Sequence, residues 1–305
     1  MLSGHKTCCV GAGPDRGRHR RTGKPGSEHG THTLQAYALT PRVVDDEPVS
    51  FEVTAEAYAQ FMGRFSVPLA RLFADHVGVA AGQTALDVGC GTGALTDVLV
   101  QRLRPRQVCA IDPSESFLAV MRERLPGVEV RRGRAEQLPF DDDRFDVVLA
   151  QLVVHFMSDP VRGLKEMARV ARPGRLVAAN VWDHAGGGGP LAVFWEAARA
   201  GDPDVAGESD LPGVREGHLQ ELFTEAGLTD FTSATLTVAV PHDSFDAWWH
   251  PFTLGVGPAG TYLAGLNPDE RDALRRRCQA RVPDGSGVTR ARAWAVVARV
   301  PTNPR

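Results

Sequence analysis

No apolar run in this chain approaches the roughly 18 residues that a membrane-spanning helix requires. The best candidate, residues 147–157, is short and interrupted by Gln151 and His155. Charge of one sign is scarce as well: the net charge is −3 at pH 7 and the pI is near 6.4. The chain as a whole therefore has no general attraction for nucleic acid or an anionic membrane. Cysteine is sparse, with five in 305 residues, odd in number and scattered. That fits a reduced, cytoplasmic setting better than a secreted disulfide framework. Cys8 and Cys9 stand near His5, but the rest of a tetrahedral zinc set is missing. There is no internal repeat. A hydrophobic fraction of 43% and a charged fraction of 23% are those of an ordinary soluble globular protein.

The first 48 residues differ from the rest. Lys6, Arg16, Arg18, Arg20, Arg21 and Lys24 are opposed before residue 30 only by Asp15 and Glu28. Gly, Pro, Ser and His fill the gaps without apolar periodicity. Such a segment cannot bury enough surface to offset its ordering entropy, and residues 1–48 read as a disordered basic extension. It has neither the h-region of a secretion signal nor the amphipathic helix of an import signal.

From residue 49 to 305 the pattern is that of one domain. Residues 51–77 carry apolar side chains at helical spacing, with a break expected at residues 66–68 around Pro68. Strands are expected at residues 84–88, 107–111, 128–131, 145–150 and 175–182, and helices at 94–104, from 114, and from 160. Asp159 suits the cap of that last helix, Pro160 its first turn, and Pro173-Gly174 its end. A further helix is expected at 214–227, then strands at 231–240 and 291–300. Alternating strands and helices predict an α/β fold: a doubly wound, Rossmann-like sheet, mostly parallel and covered on both faces.

Parallel open sheets bind ligands at the carboxyl ends of their strands, near the switch point in strand order. "LDVGCGTGALT", residues 86–96, sits at the first strand-to-helix turn. Gly89, Gly91 and Ala94 also satisfy the dinucleotide pattern, so the glycines by themselves do not identify a ligand. Asp112 at the end of the second strand suits ribose hydroxyls in either kind of site. Asp87 discriminates: a carboxylate two residues ahead of the first glycine opposes a pyrophosphate but favours a cation. At ~4 Å and an effective dielectric near 20, that interaction is on the order of 4 kcal/mol before desolvation.

Here the sequence resembles the class I S-adenosylmethionine-dependent methyltransferases, in particular the small-molecule enzymes similar to those of ubiquinone and menaquinone biosynthesis. Residues 87–93 look like the family's first motif. "AIDPSESFL" (110–118), "GRAEQLPFDDDRFDVVLA" (133–150) and "LKEMARVARPGRLV" (164–177) match later segments in order. The resemblance implies an antiparallel last strand, helical lid and cap insertions (residues 184–212 and 242–288), and S-adenosyl-L-methionine as cofactor. It implies that Asp87, Gly89, Gly91 and Gly93 form the cofactor turn. Asp112 then takes the ribose hydroxyls and Pro113 packs on adenine. Gln151 and Leu152 lie by the methionine part, and Tyr58 closes as a lid. Where the family commonly has an acid for the adenine amino group, this chain has Arg134, so that contact passes to the Ala135 backbone or to Glu136.

His155, just past the fourth strand, is the candidate base; a buried core histidine is the competing reading of the same residue. Asp141, Asp142 and Asp143 read as a solvated turn, and no metal site is expected. The chain has neither an Asn-Pro-Pro-aromatic element nor a Pro-Cys nucleophile, which disfavours nucleic-acid bases as substrates. Trp248, Trp249, His250, Phe252 and Tyr262 precede the last strand. They point to a planar or apolar small-molecule acceptor, unless they serve to pack the cap. Carbon, oxygen and nitrogen acceptors all stay open, as does a non-catalytic protein that only binds the cofactor.

Overall fold

The structure, a computed structural model, describes residues 55–282 and 285–302. The basic extension at residues 1–48 lies outside the described residues, which all belong to one compact unit.

The described chain begins with α1 (Ala55–Tyr58), one π-helical turn (Ala59–Gly63) and α2 (Arg64–Val77). Phe65, Leu69, Phe73 and Val77 recur every fourth residue and are buried, which is why α2 lies flat on the sheet. The break expected at residues 66–68 is absent, because α2 runs through Pro68. The proline ring opposes the carbonyl of Arg64, where the wider π turn gives way to α-helix, so the irregularity is taken up upstream.

The core then alternates: β1 (Ala85–Val88), α3 (Ala94–Arg102), β2 (Val108–Asp112), α4 (Glu115–Arg124), β3 (Glu129–Arg132) and β4 (Phe145–Gln151). A 3-10 turn (Val154–Phe156), α5 (Pro160–Val170) and β5 (Ala171–Trp182) follow. β1 and β2 are buried at every residue, as strands covered on both faces must be. Asp159 caps α5 by accepting from the Arg162 amide at 2.9 Å, with Pro160 in the first turn. Pro173-Gly174 does not end that helix. The helix stops at Val170, and the pair sits in an irregularity of β5 between the Phe145–Ala171 and Val147–Leu176 partners, with Gly174 at φ +74°.

The remainder comprises α6 (Ala192–Arg199), α7 (His218–Glu225), β6 (Phe231–His242), α8 (Phe245–Trp249), a 3-10 turn (His250–Leu254), α9 (Gly257–Gly265), α10 (Pro268–Gln279) and β7 (Gly287–Arg299). α7 begins later than expected because Gly217 precedes it in the left-handed region at φ +83°. The seven strands are ordered β3-β2-β1-β4-β5-β7-β6. β1 to β5 pair in parallel, and β7 runs antiparallel to both β5 and β6. The order reverses between β1 and β4, so the crevice for a ligand opens at the carboxyl ends of those two strands. One core layer lies under α5 and α7 and another under α2 and α3. A third, rich in aromatics, joins α6 and α8 to α10 with Phe61.

Candidate active site

Asp87 is the penultimate residue of β1, just ahead of the glycine turn, and it is buried. Its carboxylate accepts from the Thr96 hydroxyl at 2.6 Å and is also reached by the Thr96 backbone amide. It therefore occupies the amino end of α3, the place where a bound phosphate would have to sit. Burial pushes the Asp87 carboxyl up to about 7; the Thr96 hydroxyl works against that rise, and the Asp112 charge adds to it.

The turn's own amides are spent inward. Gly89 and Cys90 both donate to the Ile111 carbonyl, at 2.8 and 3.0 Å, and Gly93 donates to Cys90 at 2.9 Å. Gly91 donates to Asp112 Oδ2 at 2.8 Å, and the Ser114 amide holds Asp112 Oδ1 at 2.8 Å. Burial raises the Asp112 carboxyl too, with those two amides opposing the rise. A turn with two buried carboxyls and few free amides is unsuited to a pyrophosphate and suited to a cation.

The three glycines have different reasons to be bare. All have positive φ: +70° at Gly89, +53° at Gly91 and +92° at Gly93. A Cβ on Gly89 would meet Val153 Cγ2 at 2.4 Å, and one on Gly93 would meet Met121 Sδ at 2.2 Å, so the protein's own packing excludes both. A Cβ on Gly91 would meet nothing within 4 Å. It would stand in a recess that Gly91 lines together with Tyr58, Ser66, Asp87, Gln151 and Leu152.

The far wall of this recess comes from the end of β4. Gln151 is buried; its Nε2 donates to the Ser66 carbonyl at 3.0 Å, and its Oε1 has no partner. Leu152 takes a left-handed φ of +61°, unusual for a branched side chain, and its amide donates to the Asn180 carbonyl at 2.9 Å. Such a backbone costs on the order of 1–3 kcal/mol and is kept where the surroundings impose it. Tyr58 packs on Phe117 with ring centroids 5.4 Å apart. Burial, then the Asp112 charge, push its hydroxyl up to about 12.

The other expected residues are more scattered. Pro113 is exposed beside Asp112, and its carbonyl accepts from Arg132 Nε at 3.1 Å. Ala135 is buried under α5, whereas Arg134 is exposed and bridges to Gln137. Glu136 Oε1 is engaged by the Ser158 amide and hydroxyl, both at 2.8 Å. Burial works to raise this carboxyl, but those bonds and its own backbone amide hold it below the usual range. His155 is buried rather than exposed to the recess, and its Nδ1 has no partner. Its ring lies 4.0 Å from Phe156 and 6.0 Å from His184, centroid to centroid. Burial, and secondarily His184, hold it well below the ordinary histidine value, so it is neutral.

Sequence reasoning gave no role to Thr96, although it ends the quoted glycine stretch, or to Ser66, because packing alone decides that the Thr96 hydroxyl reaches Asp87 and the Ser66 carbonyl reaches Gln151. The aromatics before β7 do not line this recess. Trp248, Trp249 and Phe252 are buried in the cap's own core, where Phe194 stacks on Phe252 at 4.7 Å.

A methyltransferase-domain family profile matches residues 86–179, the stretch from β1 through most of β5. A demethylmenaquinone methyltransferase of Renibacterium salmoninarum is 30% identical over 165 residues, covering 54% of this chain and 68% of the relative. The chain belongs to a methyltransferase family. The chain is also 40% identical over 129 residues to an uncharacterized methyltransferase of Mycobacterium tuberculosis, spanning 42% of the chain and about half (50%) of that relative. Its fold is that of a putative methyltransferase of Bacillus halodurans, with a TM-score of 0.52, 18% identity, and coverage of 76% of this chain and 99% of the other.

Proposed function

We propose that this methyltransferase transfers a methyl group from S-adenosylmethionine to a small-molecule acceptor. The observation that carries the reading is Asp87: a buried carboxyl fills the anion position at the head of α3 and faces the recess. The donor brings an ammonium and a sulfonium to that place, and the sulfonium supplies an already activated methyl group.

The residues present fit such a group. Asp87 would take the ammonium, Gln151 would line the methionine part, and bare Gly91 would admit close approach to the backbone. Asp112 keeps acceptor capacity for the ribose hydroxyls beyond its two amide bonds. The Ala135 backbone, rather than the occupied Glu136 carboxylate, is the better partner for adenine, with Pro113 packing beside it. Tyr58 and Ser66 close the recess from above and exclude water. With the methyl group activated, the protein's main contribution is in-line positioning, which supplies ~7–11 kcal/mol of a barrier of this kind.

His155 is held neutral and buried away from the lining of the recess, which favours the core-histidine reading over a catalytic base. The similarity to a relative named as a demethylmenaquinone methyltransferase supports a small molecule as the acceptor class.

Calorimetry with S-adenosylhomocysteine and with NAD tests the cofactor, with binding expected for the first alone. Transfer of labelled methyl from the donor into a metabolite extract tests turnover. Binding without transfer into any extract would leave a cofactor-binding protein in place of an enzyme.

A further inference from the structure

We propose that Asn180 and Trp182 form the polar floor of the acceptor site and select an acceptor that presents an uncharged hydroxyl. This rests on the methyl-transfer reading above. The β4–β5 register pairs Gln151 with Asn180, and register partners in a parallel pair project to one face. That face is the one carrying Asp87, because Asp87 pairs with Leu149, two residues before Gln151. Asn180 is thus the next residue along the sheet from a wall of the cofactor recess. It is 0% exposed, yet neither Nδ2 nor Oδ1 has a hydrogen-bond partner. Trp182, two residues further on the same face, is buried with Nε1 unpartnered, and Gln151 Oε1 is unpartnered beside them.

Buried polar atoms almost always find partners, and each that does not carries a desolvation penalty that an apolar side chain of similar shape would avoid. Here four such atoms stand along one face. Two are donors (Asn180 Nδ2, Trp182 Nε1) and two are acceptors (Asn180 Oδ1, Gln151 Oε1). None is charged, so the set is matched by a group that both gives and takes a hydrogen bond. With Asp87 on this face already engaged by the donor's ammonium, neither an anion nor a cation finds a free counter-charge on this floor. The cover over this floor is the start of α2: Phe65 meets Trp182 edge-on at 6.4 Å, and the Ser66 carbonyl holds Gln151. The π-helical turn Ala59–Gly63 joins that cover to the preceding chain, and such turns recur at functional sites. Admission of an acceptor requires this cover to shift.

The test uses phenol as the uncharged probe, with benzoate and benzylammonium as charged counterparts. Each is titrated by NMR into the full chain saturated with S-adenosylhomocysteine. Phenol is expected to bind about tenfold more tightly than either ion. Asn180→Leu should weaken phenol by about tenfold, the order of one hydrogen bond, and leave S-adenosylhomocysteine affinity and melting temperature no lower than wild type. Trp182→Phe, which removes the indole N–H together with part of the buried ring, should weaken phenol by about threefold to tenfold while S-adenosylhomocysteine affinity is kept, and it remains informative if the leucine variant does not fold. Equal phenol affinity in wild type and variants, a charged probe binding as tightly as phenol, or no phenol binding to the complex would each overturn the assignment. Loss of S-adenosylhomocysteine in Asn180→Leu would place Asn180 in the cofactor site and overturn it too. Failure of the wild type to bind S-adenosylhomocysteine at all would instead strike down the methyl-transfer reading, and this site with it.

Discussion

Asp87 makes cofactor affinity depend on pH in a direction that can be worked out. Its carboxyl is raised from 3.8 to about 7 in the unliganded fold, chiefly by burial. Between those two values the folded protein holds a proton that the unfolded chain has lost. The group's contribution to stability therefore falls as pH rises through that window, by about 4 kcal/mol in all. An ammonium placed against the carboxylate reverses the balance, because it stabilises the ionised form. If the liganded carboxyl returns to near 4, its ordinary range, the apparent Kd for S-adenosylhomocysteine is about fivefold higher at pH 6 than at pH 7, and about fiftyfold higher at pH 5. Binding then releases about half a proton at pH 7 and about one near pH 5.5. Calorimetry in two buffers of different ionisation enthalpy measures both quantities. His184, held down to about 4 mainly by burial, stays neutral over this range. Asp87→Asn should bind weakly and without the slope. An affinity flat from pH 5 to 8, or an equal slope in the asparagine variant, would refute a carboxylate–cation contact at this position.

Thr96→Ala removes the 2.6 Å hydrogen bond to Asp87. It should move the midpoint of that pH profile upward and lower stability by about 1–3 kcal/mol, read by calorimetry and denaturant unfolding. Gly91→Ala should fold at a cost of about 1–2 kcal/mol for its left-handed backbone and lose most of its S-adenosylhomocysteine affinity, since its Cβ enters the recess. Gly89→Ala, whose Cβ would overlap Val153, should lose stability first, seen as a markedly lower melting temperature. Arg292 donates from Nε to fully buried Asp183 at 2.8 Å and pairs with it through a second nitrogen. Arg292→Met leaves that carboxylate unpaired and should cost about 3–5 kcal/mol by chemical denaturation, with binding affected only through folding.

Much of the scaffold was legible in local chemistry. Continuous apolar strands such as residues 145–150 mark a sheet buried on both faces. Asp159-Pro160 marks a helix start, and alternate glycines after an acid mark the first turn. These signals act over a few residues and need no knowledge of what lies across the fold. The same locality explains the misplacements. Pro68 reads as a breaker, but the strain it causes is absorbed where α2 begins. Pro173-Gly174 reads as a stop, but the β4–β5 pairing accommodates it as an irregular strand.

The identity of each side chain's partner belongs to the tertiary structure. Sequence placed a carboxylate beside the glycine turn; only packing buried it against Thr96, spent the turn's amides inward and raised the carboxyl. Glu136 looked free for adenine until Ser158 was brought to it, and His155 looked poised until burial made it neutral. The aromatics before the last strand looked like a binding surface, yet they satisfy one another within the cap. Asn180 has no motif around it at all. Its meaning arises because register sets it beside Gln151, and burial leaves both of its polar atoms without water. Residue type and spacing dictate the backbone path, while burial and register, which depend on residues distant in the chain, determine which groups are left to do chemistry.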